Sequence, residues 1–191
     1  MINIIIAGPP GSGKGTLAKI VVEKYNLTHF STGDMLRQEV ENNTPLGQEV
    51  ACILERGDLV CDDIVIGMIT HELEDHPQMT GFLFDGFPRT IVQAKALDKL
   101  LQAKESPVNL MILLDLPDKV CIERILRRGT IENRSDDTHE YKVQHRLNTY
   151  HTVTKPIVEH YKKQGKFIAV DSSKTPEHTF NQVEACLKRI L

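Results

Sequence analysis

The sequence has no apolar run approaching the roughly 18 residues that a membrane-spanning helix requires, which argues against a helical membrane protein. The first apolar stretch, in "MINIIIAGPPG", is short and has no positive charge in front of it. No secretory leader is predicted from it, and a cytoplasmic address is expected. Cysteine is sparse: Cys52, Cys61, Cys121 and Cys186 include no pair two or four residues apart. A zinc knuckle is therefore not expected, and the thiols read as reduced and partly buried. The eight histidines are scattered, without the close pairing of a metal site. An excess of positive charge is missing too, since 23 Lys and Arg against 26 Asp and Glu leave a net charge of -3. That balance argues against a surface that coats nucleic acid. Internal repeats and low-complexity tracts are absent.

What is present suits one soluble domain with small insertions. Hydrophobic residues make up 40% of the 191 positions, enough at this length to form a core without disulfides or metal. "NIIIAG" and "MILLDLP" are short, almost unbroken apolar runs, as in parallel strands buried on both faces. "GFLFDGFP" and "KFIAVDS" are two more, each stopping at an aspartate, and "LTHFS" is a weaker fifth. Helical spacing lies between them, with Leu17, Ile20 and Val21 in residues 14–25 and Ala94, Leu97, Leu100 and Leu101 after "GFPRT". This alternation predicts an α/β fold, a five-stranded parallel sheet with helices on both faces. Ligands of such sheets gather beyond the carboxyl ends of the strands.

Two segments interrupt the alternation. Residues 32–75 lack a clear strand and read as several helices, and "RRGTIENRSDD" (127–137) reads as a polar loop between two helices. Both are placed as insertions over the binding face.

"GPPGSGKGT" (Gly8–Thr16) joins the first strand to the first helix. Gly8, Gly11, Gly13 and Gly15 can take positive φ and turn backbone N–H groups toward a phosphate. The helix N-terminus adds its dipole, and Lys14 can reach the β- and γ-phosphates of a nucleoside triphosphate. The usual pattern has Ser or Thr directly after the lysine, whereas here Gly15 precedes Thr16. A second set of groups follows. "STGDMLR" opens a helix with Ser31 or Thr32 as cap and Arg37 one turn in. "DGFPRTIVQA" leaves a strand at Asp85, sets Pro88 and Arg89 at a helix start, and puts Gln93 one turn later.

The phosphate loop, taken with "STGDMLR", "GDLV" (57–60), "DGFPRT" and Gln93, resembles the adenylate kinases, of the nucleoside monophosphate kinase family. The likeness covers nearly the whole chain in the right order. It implies the reaction ATP + AMP ⇌ 2 ADP with Mg²⁺, on a P-loop three-layer fold with a helical NMP-binding insert and a short lid. The boundaries it implies are a core of 1–30, 61–126 and 138–191, an insert of 31–60 and a lid of 127–137.

The same resemblance assigns Gly11, Ser12, Gly13, Lys14, Gly15, Thr16, Arg124, Arg128 and Lys174 to ATP. To AMP it assigns Thr32, Gly33, Arg37, Asp58, Leu59, Val60, Gly86, Phe87, Pro88, Arg89 and Gln93, with the lid arginines Arg134 and Arg146. Catalysis is expected from Lys14, Arg89, Arg128, Arg134 and Arg146, with Asp85 organising Mg²⁺ through water rather than as a direct ligand. Gln93 can read adenine because an amide both donates and accepts. Asp136 and Asp137 of "RSDD" are expected to orient the arginines, Asn133 stands where the family more often has glycine, and Arg127 faces solvent. With about ten lid residues and no cysteine between Cys121 and Cys186, a short-lid enzyme without structural zinc is implied. Partners are ATP, AMP and ADP, with no nucleic acid, no membrane, and a monomeric state.

Other readings fit less well. A UMP/CMP kinase tends to carry alanine at the position of Thr32 and asparagine at that of Gln93. A shikimate-type kinase has no reason to carry "DGFPRT". A nucleotide-dependent switch or regulatory module would want a guanine-reading Asn/Thr-Lys-x-Asp stretch, and "NRSDD" and "SSKTPE" do not supply one.

Overall fold

The computed structural model describes residues 1–76, 80–132, 137 and 139–189. Five strands form one parallel sheet: β1 (Ile2–Ala7), β2 (Thr28–Ser31), β3 (Gly81–Asp85), β4 (Leu110–Asp115) and β5 (Phe167–Asp171), in spatial order β2-β3-β1-β4-β5. Ile4, Ile5 and Ile6 of β1 are fully or almost fully buried, which is why this central strand reads as unbroken isoleucine instead of alternating. Its register sets Ile6 beside Asp85 of β3 and Ala7 beside Leu113 of β4. All five strands therefore point their carboxyl ends, with the loops that follow, at one edge of the sheet.

Helices cover both faces, as expected for parallel strands joined by crossovers. On one face α1 (Lys14–Tyr25) and α9 (Pro176–Leu187) pack Leu17, Val21, Phe180 and Val183 against Ile4, Ile6, Leu83 and Ile112. On the other, α4 (Asp62–Asp75), α5 (Ile91–Ala103) and α8 (Ile157–Lys163) bury Ile69, Leu73, Leu97, Leu101 and Tyr161 against Ile5, Phe82, Phe84 and Met111. Between β2 and α4 lie α2 (Thr32–Glu41) and α3 (Pro45–Arg56), so the strandless reading of residues 32–75 matches the structure. Local chemistry fixes these helix starts. Ser31 Oγ accepts from the Asp34 N–H at the head of α2, and Thr44 Oγ1 accepts from Gly47 N at 3.0 Å before Pro45 of α3.

The polar loop predicted from residue 127 starts later. Helix α6 runs through Asp118–Glu132 and carries Arg124, Arg127 and Arg128 on its surface; α7 follows at Glu140–Thr149. Gly129 lies inside α6, although glycine more often marks a helix end. It is there for close packing: a Cβ at Gly129 would lie 2.6 Å from the Asp137 carbonyl oxygen. Past α7 the chain continues through a single π-turn, Tyr150–Thr154.

Gly47 of α3 packs against α2 with no room for a side chain. A Cβ there would fall 2.0 Å from the Glu39 carbonyl oxygen of α2, so α2 and α3 touch backbone to backbone. Gly47→Ala has to part the two helices and is expected to destabilise the fold by about 1–3 kcal/mol, the usual cost of overpacking. Urea denaturation measures it; an unchanged midpoint would show that the contact is not this close.

Candidate active site

The loop Gly8–Thr16 leaves β1 and turns directly into α1. Gly13, at φ 89°, precedes the helix with no side-chain cap, so the first amides of α1 are available to an anion. Gly11, at φ 79°, also needs the left-handed region, and a Cβ on it would lie 2.8 Å from the Cys121 carbonyl oxygen of α6. Gly15, predicted to share that freedom, lies instead within the first turn of α1, where a Cβ would face Asp85 Oδ2 at 3.8 Å. Lys14 reaches back across the loop, its Nζ donating to the Gly8 and Pro9 carbonyls at 2.9 Å each. Its ammonium pKa is lowered to about 8, first because the loop removes it from water. Asp85 opposes that shift, while the guanidinium groups of Arg89, Arg146 and Arg128 add to it.

Asp85 ends β3 on the floor of the cleft and is largely buried; His29 Nε2 of β2 lies 3.7 Å from its Oδ2. Gly86 follows at φ 76°, where a Cβ would lie 2.8 Å from Arg89 Nη2 and 3.2 Å from Thr32 Oγ1. Both side chains use the Gly86 carbonyl, with Thr32 Oγ1 donating at 2.9 Å and Arg89 Nε at 2.7 Å. Pro88 and Arg89, predicted at a helix start, precede it. Helix α5 begins at Ile91 because Thr90 is its cap, its Oγ1 accepting from Gln93 N at 3.1 Å. Gln93 is buried, not exposed: Oε1 accepts from the Arg89 N–H at 2.7 Å and Nε2 donates to Asp62 Oδ1 at 2.8 Å.

Two connected hollows result. A cleft of about 420 Å³ runs over the phosphate loop and is lined by Gly11, Gly13, Lys14, Gly15, Thr16, Asp85, Pro88, Arg124 and Arg128. A smaller pocket of about 60 Å³ sits between Leu36, Leu54, Val60 and Val65, with Thr32 and Gln93 as polar lining. Gly33, Arg37, Leu59, Gly86, Arg89 and Arg146 line both. The walls of the small pocket are apolar, its inner edge carries one amide, and arginines stand where it opens into the cleft. Asp58 also lines the pocket, but its carboxylate is taken by Arg56 Nε at 2.8 Å and His145 Nε2 at 2.7 Å. Those two partners hold it below the usual carboxylate range.

The arginines are held by anionic or carbonyl partners. Arg124 donates to the Ser172 and Ser173 carbonyls at 3.0 Å each, which ties α6 to the loop after β5. Asp137, fully buried, accepts from Arg128 Nε at 2.6 Å through one oxygen and from Arg146 through the other. Of the arginines Asp137 was expected to orient, it pairs with Arg146, and it pairs with Arg128 as well. Arg37 pairs with Asp34 one turn earlier on α2, and Arg127 is exposed.

Some assigned residues stand elsewhere. Phe87 is fully buried against Phe84 and lines neither hollow. Ser12 is likewise buried, its N–H spent on the Pro9 carbonyl at 3.2 Å. Lys174 is exposed and does not line the cleft; the contact from its loop comes from the two serine carbonyls. Arg134, Asn133 and Asp136 lie outside the described residues. Sequence reasoning missed the apolar walls Leu36, Leu54 and Val65, whose signal was the inner face of the three inserted helices. It also missed Asp62 and Tyr150, the latter lining the cleft from the π-turn with a phenol pushed up to about 12 by burial. Among the described residues no group of three or more His, Cys, Asp or Glu could hold a metal ion, and no helix is long and apolar enough to cross a membrane.

A phosphate loop in one hollow, with a second pocket that shares its arginines, defines a P-loop phosphotransferase of the nucleoside monophosphate kinase class. Comparison with known proteins narrows the class. A sequence model described as adenylate kinase matches residues 6–166. The chain is similar to an adenylate kinase of Flavobacterium johnsoniae, 42% identical over 190 residues that span all of both chains. One from Flavobacterium psychrophilum is 44% identical over 171 residues, 90% of each chain. One from Prochlorococcus marinus strain MIT 9313 is 42% identical over 185 residues, 97% of this chain and 98% of the relative. The chain belongs to the adenylate kinase family.

The lowered Lys14 pKa has a measurable consequence. A bound polyphosphate favours the ammonium and raises its pKa again, so binding above pH 8 must take up a proton. Calorimetry of ADP binding in buffers of different ionisation enthalpy is expected to show uptake of most of a proton at pH 9 and little at pH 7. Lys14→Met should abolish the difference. Equal uptake at both pH values would show that Lys14 stays fully charged in the free protein.

Proposed function

We propose that the chain moves the terminal phosphoryl group of Mg²⁺-bound ATP to AMP by direct in-line transfer, with the donor on the phosphate loop and the acceptor base in the small pocket. Phosphotransfer between ATP and AMP is the activity of the family to which the chain belongs. The division of labour between the two hollows rests on one observation. Lys14 and the amides of α1 lie in the larger hollow, the Gln93 amide lies at the inner edge of the smaller, and Arg37, Arg89 and Arg146 stand between.

Nothing in this arrangement has to act as a nucleophile or strong base. A phosphate oxygen of AMP is already anionic and attacks the γ-phosphorus as the bond to the β–γ bridging oxygen breaks, leaving ADP on both sides. The protein's part is positioning and charge stabilisation. Lys14 and Arg128 meet the donor phosphates, Arg37 and Arg89 fork onto the monophosphate, and Arg146, which lines both hollows, serves the group in transit. Arg134 is assigned to the same task by the sequence resemblance. Leu36, Leu54, Val60 and Val65 sandwich a flat base, and Arg124, tied to the Ser172–Ser173 loop, sits where a donor base would lie. A cleft closed over both substrates would exclude water as a competing acceptor.

The residues present fit Mg²⁺. The ion usually keeps several waters and takes one or two carboxylates beside substrate phosphates, and Asp85 presents such a carboxylate toward the first turn of α1. Asp85, with the Thr16 hydroxyl nearby in the cleft lining, would hold the hydrated ion. The ion, when bound, neutralises phosphate charge.

A coupled ADP-formation assay with ATP against AMP, UMP, CMP and GMP tests the acceptor. AMP is expected to dominate; AMP giving no excess over UMP would overturn the assignment. Lys14→Ala is expected to lower kcat by about a hundredfold or more, as for other lost donors to a developing charge. Gln93→Leu should raise KM for AMP about tenfold while KM for ATP moves less than about twofold. A parallel loss of ATP affinity would show that the two hollows have been wrongly divided.

A further inference from the structure

The reading of Gln93 as the residue that meets the acceptor base leaves open how one amide tells adenine from other purines. An amide reads both ways. With Nε2 toward N1 and Oε1 toward the exocyclic amine it fits adenine; turned over, it fits hypoxanthine, which presents N1–H and a carbonyl oxygen in those places. Selectivity therefore needs something to stop the amide turning.

We propose that Asp62 is a specificity-determining positioning residue, which locks the Gln93 amide in the adenine-reading orientation. Asp62 is the first residue of α4, outside the phosphate and arginine machinery. One of its oxygens, Oδ1, accepts from Gln93 Nε2 at 2.8 Å and from Thr90 Oγ1 at 3.0 Å. At the opposite end of the same amide, Gln93 Oε1 accepts from the Arg89 backbone N–H at 2.7 Å. The chemistry of both partners is unambiguous, since a carboxylate oxygen facing an amide can only accept and a backbone N–H can only donate. Turning the amide over would put Oε1 against a carboxylate and Nε2 against an N–H, losing two hydrogen bonds and setting like charges together. Gln93 itself is 2% exposed, which limits how far water can make good the loss.

What the lock leaves over is informative. Nε2 keeps one hydrogen and Oε1 one lone pair, side by side at the inner edge of the small pocket. That pair, one donor beside one acceptor, is complementary to N1 and the exocyclic amine of adenine and clashes with hypoxanthine at both atoms. The two bases have nearly the same shape, so the apolar walls cannot separate them. Thr90 completes the support by giving its proton to Asp62 while accepting from the Gln93 N–H. Removing Asp62 leaves Arg89 N–H as the remaining restraint on the amide.

The test compares AMP with IMP as acceptors at saturating ATP, in the wild-type enzyme and in Asp62→Ala and Asp62→Asn. In Asp62→Ala the ratio of kcat/KM for AMP over IMP is expected to fall about tenfold or more, the scale of one lost bidentate base contact. KM for ATP should stay within about twofold, since donor binding is not touched. Asp62→Asn can still offer a neutral oxygen to Nε2 and Thr90, and is expected to keep the ratio within about threefold of wild type. Asp63 still supplies an acidic first turn to α4, and Asp62→Ser, which is too short to reach Gln93, replaces the alanine variant if that one does not fold. An unchanged AMP:IMP ratio in the acceptor-less variants would overturn the lock and leave Asp62 as a helix start. An equal fall in Asp62→Asn would also overturn it, since charge and not the accepting atom would then matter. The lock rests on Gln93 meeting the acceptor base, and the wild-type enzyme tests that separately. Indifference of the wild type to AMP versus IMP would overturn both ideas, whereas strong wild-type preference with an unaffected Asp62→Ala ratio overturns the lock alone.

Discussion

Like charges have to be held together at one end of this sheet. Lys14, Arg37, Arg89, Arg124, Arg128 and Arg146 all line the cleft beyond the strands, and three of those arginines help to push the lysine's pKa down. The repulsion is built into the fold, and an anion placed among these groups would relieve it. The neighbouring structure supplies partial compensation: two loop carbonyls for Lys14, two serine carbonyls for Arg124, Asp34 for Arg37 and the buried Asp137 for Arg128 and Arg146.

The backbone serves the same end. Every strand is parallel, so every β-to-α turn delivers amides and side chains to one edge. β1 and β3 are neighbours, and the loops that leave them carry the phosphate loop and the segment from Asp85 to Arg89. Glycine is used where backbone must come close, at Gly11 against α6 and at Gly86 under Thr32 and Arg89. Positioning in this enzyme is thus largely a matter of main-chain geometry, with side chains added at its ends.

The centre of the sheet was legible because β1, β3 and β4 are buried on both faces and so cannot alternate. The phosphate loop was legible because glycines, a lysine and a strand-to-helix junction occur together for one physical reason. Helix ends were harder. Gly129 signals a break by composition but marks a close approach to Asp137, which no local pattern can reveal. Pro88 and Arg89 read as a helix start because Thr90, a commonplace residue, gave no sign that it was the cap. Lys174 was placed by loop likeness, and the loop acts through carbonyls that no side-chain identity announces. Asp62 was the hardest to see, since an acidic residue opening a helix has an adequate local explanation in the helix dipole. Its partner Gln93 is 31 residues away.

Helix α7 presents adjacent residues to different neighbours. His145 meets Asp58 beside the small pocket, while Arg146 meets Asp137 and packs so close to Gly57 that a Cβ there would lie 2.7 Å from its Cγ. One rigid element therefore feels both hollows. A ligand in either that shifts α7 does thermodynamic work at the other. Whatever factor the first substrate applies to the affinity of the second, the second must return to the first. Synergy between the two nucleotides would then have a mechanical address in one turn of helix, with no residue shared between the two bases.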